Sequence, residues 1–277
     1  MKRILTIQDI SCFGKCSLTV ALPILSSMGI ETVILPTAVL STHTMFKGFT
    51  CKDLSDQLTP ITEHWANEGI TFDAIYTGYL GTEEEIDTVL SIIDRFRTEN
   101  TLVFIDPAMG DNGKLYPAFD LAYAKKNASL AAIADISVPN LTEASFMLGV
   151  PYREAYSEEE IKCILRALAD TGTKMPILTG VSLNDGKTGA MGYVKETGEF
   201  FVYQHDRIPV SYHGTGDIFS SVLAGAFVLG VDRTKAIRIA ADYTAMSIAE
   251  TLKNPDHPWY GVDFEAKIPD LLKMLNS

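Results

Sequence analysis

Residues 213–221 read His213-Gly214-Thr215-Gly216-Asp217-Ile218-Phe219-Ser220-Ser221 and lead straight into an apolar stretch. Two glycines leave the backbone free to turn with its amides exposed. The start of a helix adds N–H groups without intrahelical partners and the positive end of the helix dipole. Gly214, Thr215 and Gly216 together therefore have the makings of an anion hole for a transferring phosphoryl group. Asp217 falls at the helix start beside that hole. A carboxylate there orients an acceptor hydroxyl and takes its proton as the phosphoryl group moves. The same residues also suit a tight turn closed by an Asp N-cap, and the motif alone leaves both readings open. A second set is Pro139-Asn140-Leu141-Thr142-Glu143. A carboxamide and a carboxylate three residues apart share one face of a helix start, where they can hold the water shell of a magnesium ion. They equally suit an Asn N-cap with Glu143 completing the cap.

Elements that would position these residues alternate between β-rich runs and amphipathic helices. Residues 4–8, 32–36, 73–77, 101–106, 136–139 and 176–179 read as strands. Residues 17–28 read as a helix stopped by Gly29. Thr82-Glu83-Glu84-Glu85 and Ser157-Glu158-Glu159-Glu160 are capping boxes that open helices reaching about Arg97 and about Ala169. Residues 121–134 form another helix. The pattern then changes: residues 189–195 and 199–204 are antiparallel strands joined through Thr197-Gly198. Helices follow at 217–229, 233–251 and 263–275. Repeated strand–helix units imply an α/β fold with a mostly parallel sheet covered on both faces and antiparallel strands at one edge. No linker, charge block or repeat interrupts the chain, so a single domain over residues 1–277 is expected. Ligands of such sheets sit outside the carboxyl ends of the strands.

The bulk properties narrow the function. The chain has 277 residues, 47% of them hydrophobic, which is ordinary for a globular protein with a substantial core. Its formal net charge of −12 lacks the positive footprint that drives binding to nucleic acid. An anionic ligand must find its positive potential locally, in amides, a metal ion or a few basic side chains. The apolar start ends at Gln8-Asp9, too short for a signal peptide, and no run is long enough to cross a membrane. The cysteines Cys12, Cys16, Cys51 and Cys163 are sparse and form no paired CxxC, against both a disulfide framework and a structural zinc site. Cys12 and Cys16 read as two reduced thiols near a turn, and a cytoplasmic location is expected.

The Gly214–Asp217 segment, followed by Val222-Leu223-Ala224-Gly225-Ala226, resembles the signature of the ribokinase-like superfamily, whose other half is the Asn-x-x-Glu pattern seen here at Asn140 and Glu143. Within that superfamily the chain is most similar to the pyridoxal kinases. The resemblance rests on Ile7-Gln8, Ser41-Thr42-His43-Thr44, Thr77-Gly78-Tyr79-Leu80-Gly81, Asp106-Pro107-Ala108-Met109-Gly110-Asp111 and the glycine-rich segment at 214–217, each at the carboxyl end of an expected strand. It implies a three-layer α/β/α sandwich and ATP-dependent phosphorylation of the hydroxymethyl group of pyridoxal, pyridoxine or pyridoxamine. ATP and Mg2+ are the implied cofactors, with K+ as a further cation, and a homodimer is the implied assembly. Carried over by position, Thr44 and Tyr79 line the acceptor pocket. Asp106 lies near the phosphates and their cations, Asp111 in the region that shields the nucleotide, and Thr179 against phosphate or nucleotide. Asn140 joins the phosphate network and Glu143, with Asp106, the metal. His43 is given a structural role.

Two departures from the family bear on the acceptor. Its Gln-Ser-His reads Gln8-Asp9-Ile10 here, so Asp9 becomes a candidate ligand for a ring hydroxyl, a hydroxymethyl group or a protonated ring nitrogen. Val138 stands where a Thr often precedes Pro-Asn. Lys187 and Arg207 read as solvated surface charge. The alternatives are a hydroxymethylpyrimidine kinase or a dual pyridine and pyrimidine kinase, a sugar or nucleoside kinase of the same superfamily, and a catalytically silent vitamin-binding protein.

Overall fold

The computed structural model describes residues 1–277. In chain order the elements are β1 Arg3–Ser11, α1 Leu18–Ser27, β2 Glu31–Leu40, β3 Cys51–Asp53, α2 Ser55–Asn67, β4 Ala74–Thr77, α3 Glu83–Phe96, β5 Leu102–Ile105, β6 Gly110–Asp111, β7 Lys114–Leu115, α4 Leu121–Ala132, β8 Ile136–Ser137, α5 Leu141–Leu148, α6 Glu158–Thr171, β9 Met175–Val181, β10 Lys187–Val194, β11 Glu199–Asp206, α7 Thr215–Val228, α8 Arg233–Thr251 and α9 Ile268–Asn276. A 3₁₀ turn, Phe264–Lys267, precedes α9. The chain forms two compact units, Met1–Ile75 with Ile208–Ser277, and Tyr76–Arg207.

In the first unit the strands run in the order β4-β1-β2-β3. β1 is buried along most of its length, as a near-continuous apolar run implies for a strand covered on both faces. It pairs in parallel with β2, but Gln8 opposes Pro36 while Ile10 opposes Val39. Thr37 and Ala38 of β2 therefore stand opposite the single residue Asp9, and this bulge in β2 interrupts the pairing at Asp9. β3 adds an antiparallel edge. Helix α7 is apolar almost all round and is buried from Ile218 to Ala226, which is the pattern of a helix enclosed by its own fold. The hydroxyl of Tyr243 on α8 donates to the Phe264 carbonyl at 2.8 Å and fixes the 3₁₀ turn against α8.

In the second unit the order is β11-β10-β9-β8-β5-β4, with β5, β8 and β9 parallel and β9, β10 and β11 antiparallel. A separate two-stranded hairpin, β6–β7, turns through Asn112 and Gly113, both at positive φ (51° and 75°). That is the backbone of a type I′ turn, which an Asn-Gly pair adopts most readily.

The α/β class and the mostly parallel sheet match the expectation; antiparallel strands were expected at one edge, at β10 and β11, and β3 adds a second antiparallel edge. Local differences have local causes. β2 is longer than the predicted 32–36. β3, α2 and the β6–β7 hairpin were not anticipated. α2 carries Pro60 inside it and buries little beyond Leu58 and Thr62, so its periodicity is faint. β3, β6 and β7 are two or three residues each, too short for an alternation to register. The predicted box at Thr82 is one-sided: Thr82 accepts from the Glu85 amide at 3.1 Å, but the Glu85 carboxylate takes the Gly81 amide at 2.5 Å. The box at Ser157 closes in both directions. Removing that cap with Ser157→Ala is expected to lower stability by about 1 kcal/mol, read as a fall in the urea midpoint with an unchanged denaturant slope.

Candidate active site

At the carboxyl end of β1, opposite the β2 bulge, Asp9 is buried, 5% exposed. Its Oδ1 accepts from the Ser17 hydroxyl at 2.6 Å and its Oδ2 from the Ser11 hydroxyl at 3.0 Å. Burial raises the Asp9 carboxyl above its ordinary value, and the two serine hydrogen bonds oppose that rise in part. Ser17 is the N-cap of α1, at φ 52° and ψ −129°, a region close to glycine-only. Its amide donates to Asp217 Oδ2 at 3.0 Å. One serine thus connects two carboxylates. Cys16 lies beside them: burial, then the charges of Asp217 and Asp9, push its thiol up, so it stays neutral and unreactive. All the cysteines are free thiols, as expected for Cys12 and Cys16.

Asp217 stands in the first turn of α7, and no side chain caps that helix. Gly214 precedes it in the left-handed region, φ 80°, where a Cβ would fall 1.9 Å from the Lys15 carbonyl oxygen. Only glycine fits there. The Thr215 hydroxyl donates back to the Tyr212 carbonyl at 3.0 Å, leaving backbone amides as the donors of the turn. A Cβ built on Gly216 meets nothing within 4 Å, so the space over this turn is open. The segment at 214–217 thus has the form expected of an anion hole: an uncapped helix start and a carboxylate in its first turn.

His43 is held by the backbone. Its Nδ1 accepts from the Met45 amide at 3.3 Å, so its Nε2 carries the proton and donates to the Tyr260 carbonyl at 3.1 Å. Burial and then the neighbouring His213 lower its pKa, so it is neutral. Its ring packs on Phe46, His213 and Trp259. Thr44 is exposed on the turn just after it, outside the Asp9–Ser17–Asp217 network.

In the second unit, Asn140 and Glu143 make a full capping box at the start of α5. Their side chains also reach back to the hairpin. Asn140 Nδ2 donates to the Gly110 carbonyl at 2.8 Å, and Glu143 Oε1 accepts from the Met109 amide at 3.1 Å. The Thr142 hydroxyl accepts from the Gly113 amide at 2.9 Å. The cap and the brace on β6–β7 are the same residues. Glu143 is buried, and burial followed by the charge of Asp106 raises it well above the ordinary carboxyl value, against three backbone amides that lower it. Asp106 is buried at the end of β5. Asp111 is exposed on the hairpin and takes both the amide and the side chain of Asn112. Thr179 bridges to Asn140, its amide donating to the Pro139 carbonyl at 3.0 Å. Tyr79 packs on Phe119 at 5.3 Å between ring centroids. Lys187 pairs with exposed Asp206, as surface charge does, and Arg207 is exposed.

Sequence reasoning found Asp9, Asp217, Asn140 and Glu143 but passed over Ser11, Ser17 and Thr142. The signal for Ser17 was its place just before a helix, which reads as an ordinary cap.

The phosphomethylpyrimidine kinase family profile matches residues 25–258. The chain belongs to the family of phosphomethylpyrimidine and pyridoxal kinases. It is similar to a Bacteroides thetaiotaomicron protein assigned as a phosphomethylpyrimidine kinase, whose crystal structure shares 38% identity at a TM-score of 0.94, covering 98% of this chain and 93% of that one. A second crystal form of that protein, also 38% identical, with a TM-score of 0.93 and 98% and 95% coverage, contains pyridoxal. Pyridoxal kinase from Lactobacillus plantarum is 30% identical with a TM-score of 0.90, over 99% of this chain and 98% of that one. Pyridoxal kinase of Arabidopsis thaliana is 28% identical over 231 residues, 80% of this chain and 73% of the relative. The ribokinase-like fold expected from the sequence is therefore the fold of this chain.

Because the folded protein holds the Asp9 proton more tightly than the unfolded chain, this group stabilises most below the ordinary value of 3.8 and loses its contribution as pH rises through its raised value. Asp9→Asn is expected to flatten the corresponding fall in stability in urea unfolding from about pH 4 upward. An unchanged slope would show that Asp9 titrates as an ordinary exposed carboxyl.

Proposed function

We propose that this chain transfers the γ-phosphoryl group of ATP to the hydroxymethyl group of pyridoxal, pyridoxine or pyridoxamine. The observation that carries this reading is Asp217 in the first turn of an uncapped helix, its carboxylate oriented by the Ser17 amide. The family membership and the pyridoxal bound to the 38% identical relative support the acceptor class.

The first unit supplies the acceptor side and the base. The hydroxymethyl oxygen attacks the γ-phosphorus, the bond between that phosphorus and the β,γ-bridging oxygen breaks, and ADP leaves. Asp217 accepts the hydroxyl proton late in this step, so its pKa need not match that of the alcohol. The amides of Gly214, Thr215 and Gly216 take up charge on the transferred group. Asp9 meets a polar edge of the acceptor ring, with Thr44 as a further acceptor contact from this unit; the resemblance adds Tyr79, which belongs to the second unit.

The second unit supplies the phosphate side. Asp106, Asn140 and Thr179 serve phosphate and nucleotide, and Asp111 belongs to the hairpin that shields the nucleotide. Asp106 and Glu143 are buried carboxylates, and the charge of Asp106 raises Glu143, a repulsion that a divalent cation would offset. No cluster of three or more metal-ligating side chains occurs, and two carboxylates with substrate phosphates and water are what Mg2+ takes. Asp106 would hold the ion, and Glu143, its oxygens already accepting amides, would hold it through water. Bound there, the ion neutralises charge on the β- and γ-phosphates. K+, a homodimer, a cytoplasmic setting and the joint action of both units as one kinase domain are proposed from the resemblance. No helix is long and apolar enough to cross a membrane.

A second reading is phosphorylation of a hydroxymethylpyrimidine. The family match and the assignment of the Bacteroides relative favour it, and so does Asp9, a carboxylate suited to an amino or protonated ring nitrogen.

The test of the base is Asp217→Asn, assayed by ADP release with pyridoxal. A loss of kcat of about 10²–10⁴-fold is expected, with pyridoxal binding largely intact. Near-normal turnover by a folded variant would remove Asp217 from the mechanism.

A further inference from the structure

Ser17 is held in a backbone conformation that serine avoids. At φ 52° and ψ −129° the residue sits where a side chain is strained and glycine is not. Such strain persists only where the surroundings over-determine it. Here they do. The hydroxyl donates to Asp9 at 2.6 Å and the amide to Asp217 at 3.0 Å. Ser17 also bridges to Ile10 beside the bulge, and its carbonyl accepts the amides of Val20 and Ala21 as α1 begins. The bridge, the amide and the carbonyl use backbone atoms alone and would be satisfied by glycine. The hydroxyl is the one contact that requires a side chain, and its partner is a buried carboxylate that the reading above assigns to the acceptor.

We propose that Ser17 is a positioning residue for acceptor recognition: its hydroxyl holds the buried Asp9 carboxyl aimed at the acceptor ring, while its amide aligns Asp217. This inference rests on the assignment of Asp9 to the acceptor. The groups that act on Asp9 are the Ser11 and Ser17 hydroxyls and its own backbone, and its charge also reaches the neutral Cys16 thiol. None of them is a cation. With no positive partner at hand, hydrogen bonds are what favour the ionised form. The Ser17 bond is the shorter of the two from serine and ranks above the Ser11 bond in holding the carboxyl down. Deleting it therefore raises Asp9 further, and the neutral acid no longer accepts from a ring donor with both oxygens.

Ser17→Gly separates this role from a structural one, because glycine keeps the backbone contacts, removes the strain and deletes only the hydroxyl. The expected variant is at least as stable to urea as the parent. Its kcat/KM for pyridoxal is lower by about 10-fold or more, the loss expected when a hydrogen bond to a charged group is removed. The acid limb of that pH profile moves to higher pH, while KM for ATP is unchanged. Ser17→Ala shares the kinetic loss but keeps the Cβ strain, and is less stable than Ser17→Gly. A substrate-free arm stands apart from the proposed function: ¹³C NMR titration of the Asp9 carboxyl, assigned by its disappearance in Asp9→Asn, should show a higher pKa in Ser17→Gly. A Ser17→Gly protein in which the Asp9 titration is unmoved would overturn the proposal. So would one whose Asp9 pKa rises while the pyridoxal profile superimposes on that of the parent. If the parent does not phosphorylate pyridoxal, the functional reading fails, and the NMR titration still decides whether Ser17 sets the charge of Asp9.

Discussion

The hydrogen bond from the Ser17 amide to the Asp217 carboxylate joins two segments 200 residues apart in the chain. An aspartate at a helix start ordinarily turns back to cap its own helix. Here the start of α7 has no side-chain cap, and the carboxylate is turned toward α1. Much of the first unit follows from that constraint. The turn before α1 must present the Ser17 amide, which forces its positive φ. Gly214 must pass within contact of the Lys15 carbonyl, which excludes any side chain. Asp9, opposite the bulge in β2, accepts the hydroxyl of the same serine. Ser17 thus ties the Asp217 carboxylate in the first turn of α7 to the buried Asp9 carboxyl.

The second unit is organised around a different economy of groups. Asn140 and Glu143 cap α5, and the same side chains fasten the Gly110 region to it. Capping and bracing are usually weighed as competing uses of such residues, yet here each side chain has enough donors and acceptors for both. The consequence is electrostatic. Glu143 is surrounded by amides and by Asp106, with no basic side chain among its main influences. In an acidic chain of net charge −12, an anionic ligand beside this cluster would need cations to offset the charge.

Much of this was legible in the sequence. The glycine-rich turn before an apolar helix, the Asn-x-x-Glu spacing and the placement of motifs at strand ends are local patterns, and each stands where it was expected. The parts that were not legible depend on non-local geometry. The β2 bulge opposite Asp9 has no composition of its own, because it arises from a one-residue shift between two strands. Ser17 reads as an N-cap, and its caps are in fact two carboxylates from elsewhere rather than its own helix. α2 was hidden by Pro60 and a thin buried face. The β6–β7 hairpin was hidden by its brevity, although its Asn112-Gly113 turn was written in the sequence.

The central claim is that the chain is a phosphotransferase whose acceptor is a pyridine alcohol. It is tested most directly by incubating the purified protein with ATP and Mg2+ and, separately, pyridoxal, hydroxymethylpyrimidine or no acceptor, and identifying the products by mass spectrometry. The account predicts pyridoxal 5'-phosphate and ADP in equal amounts, with little ADP when acceptor is absent. Phosphorylation confined to the pyrimidine would contradict the acceptor assignment, and binding of pyridoxal without any phosphorylated product would contradict the claim that the chain is a kinase.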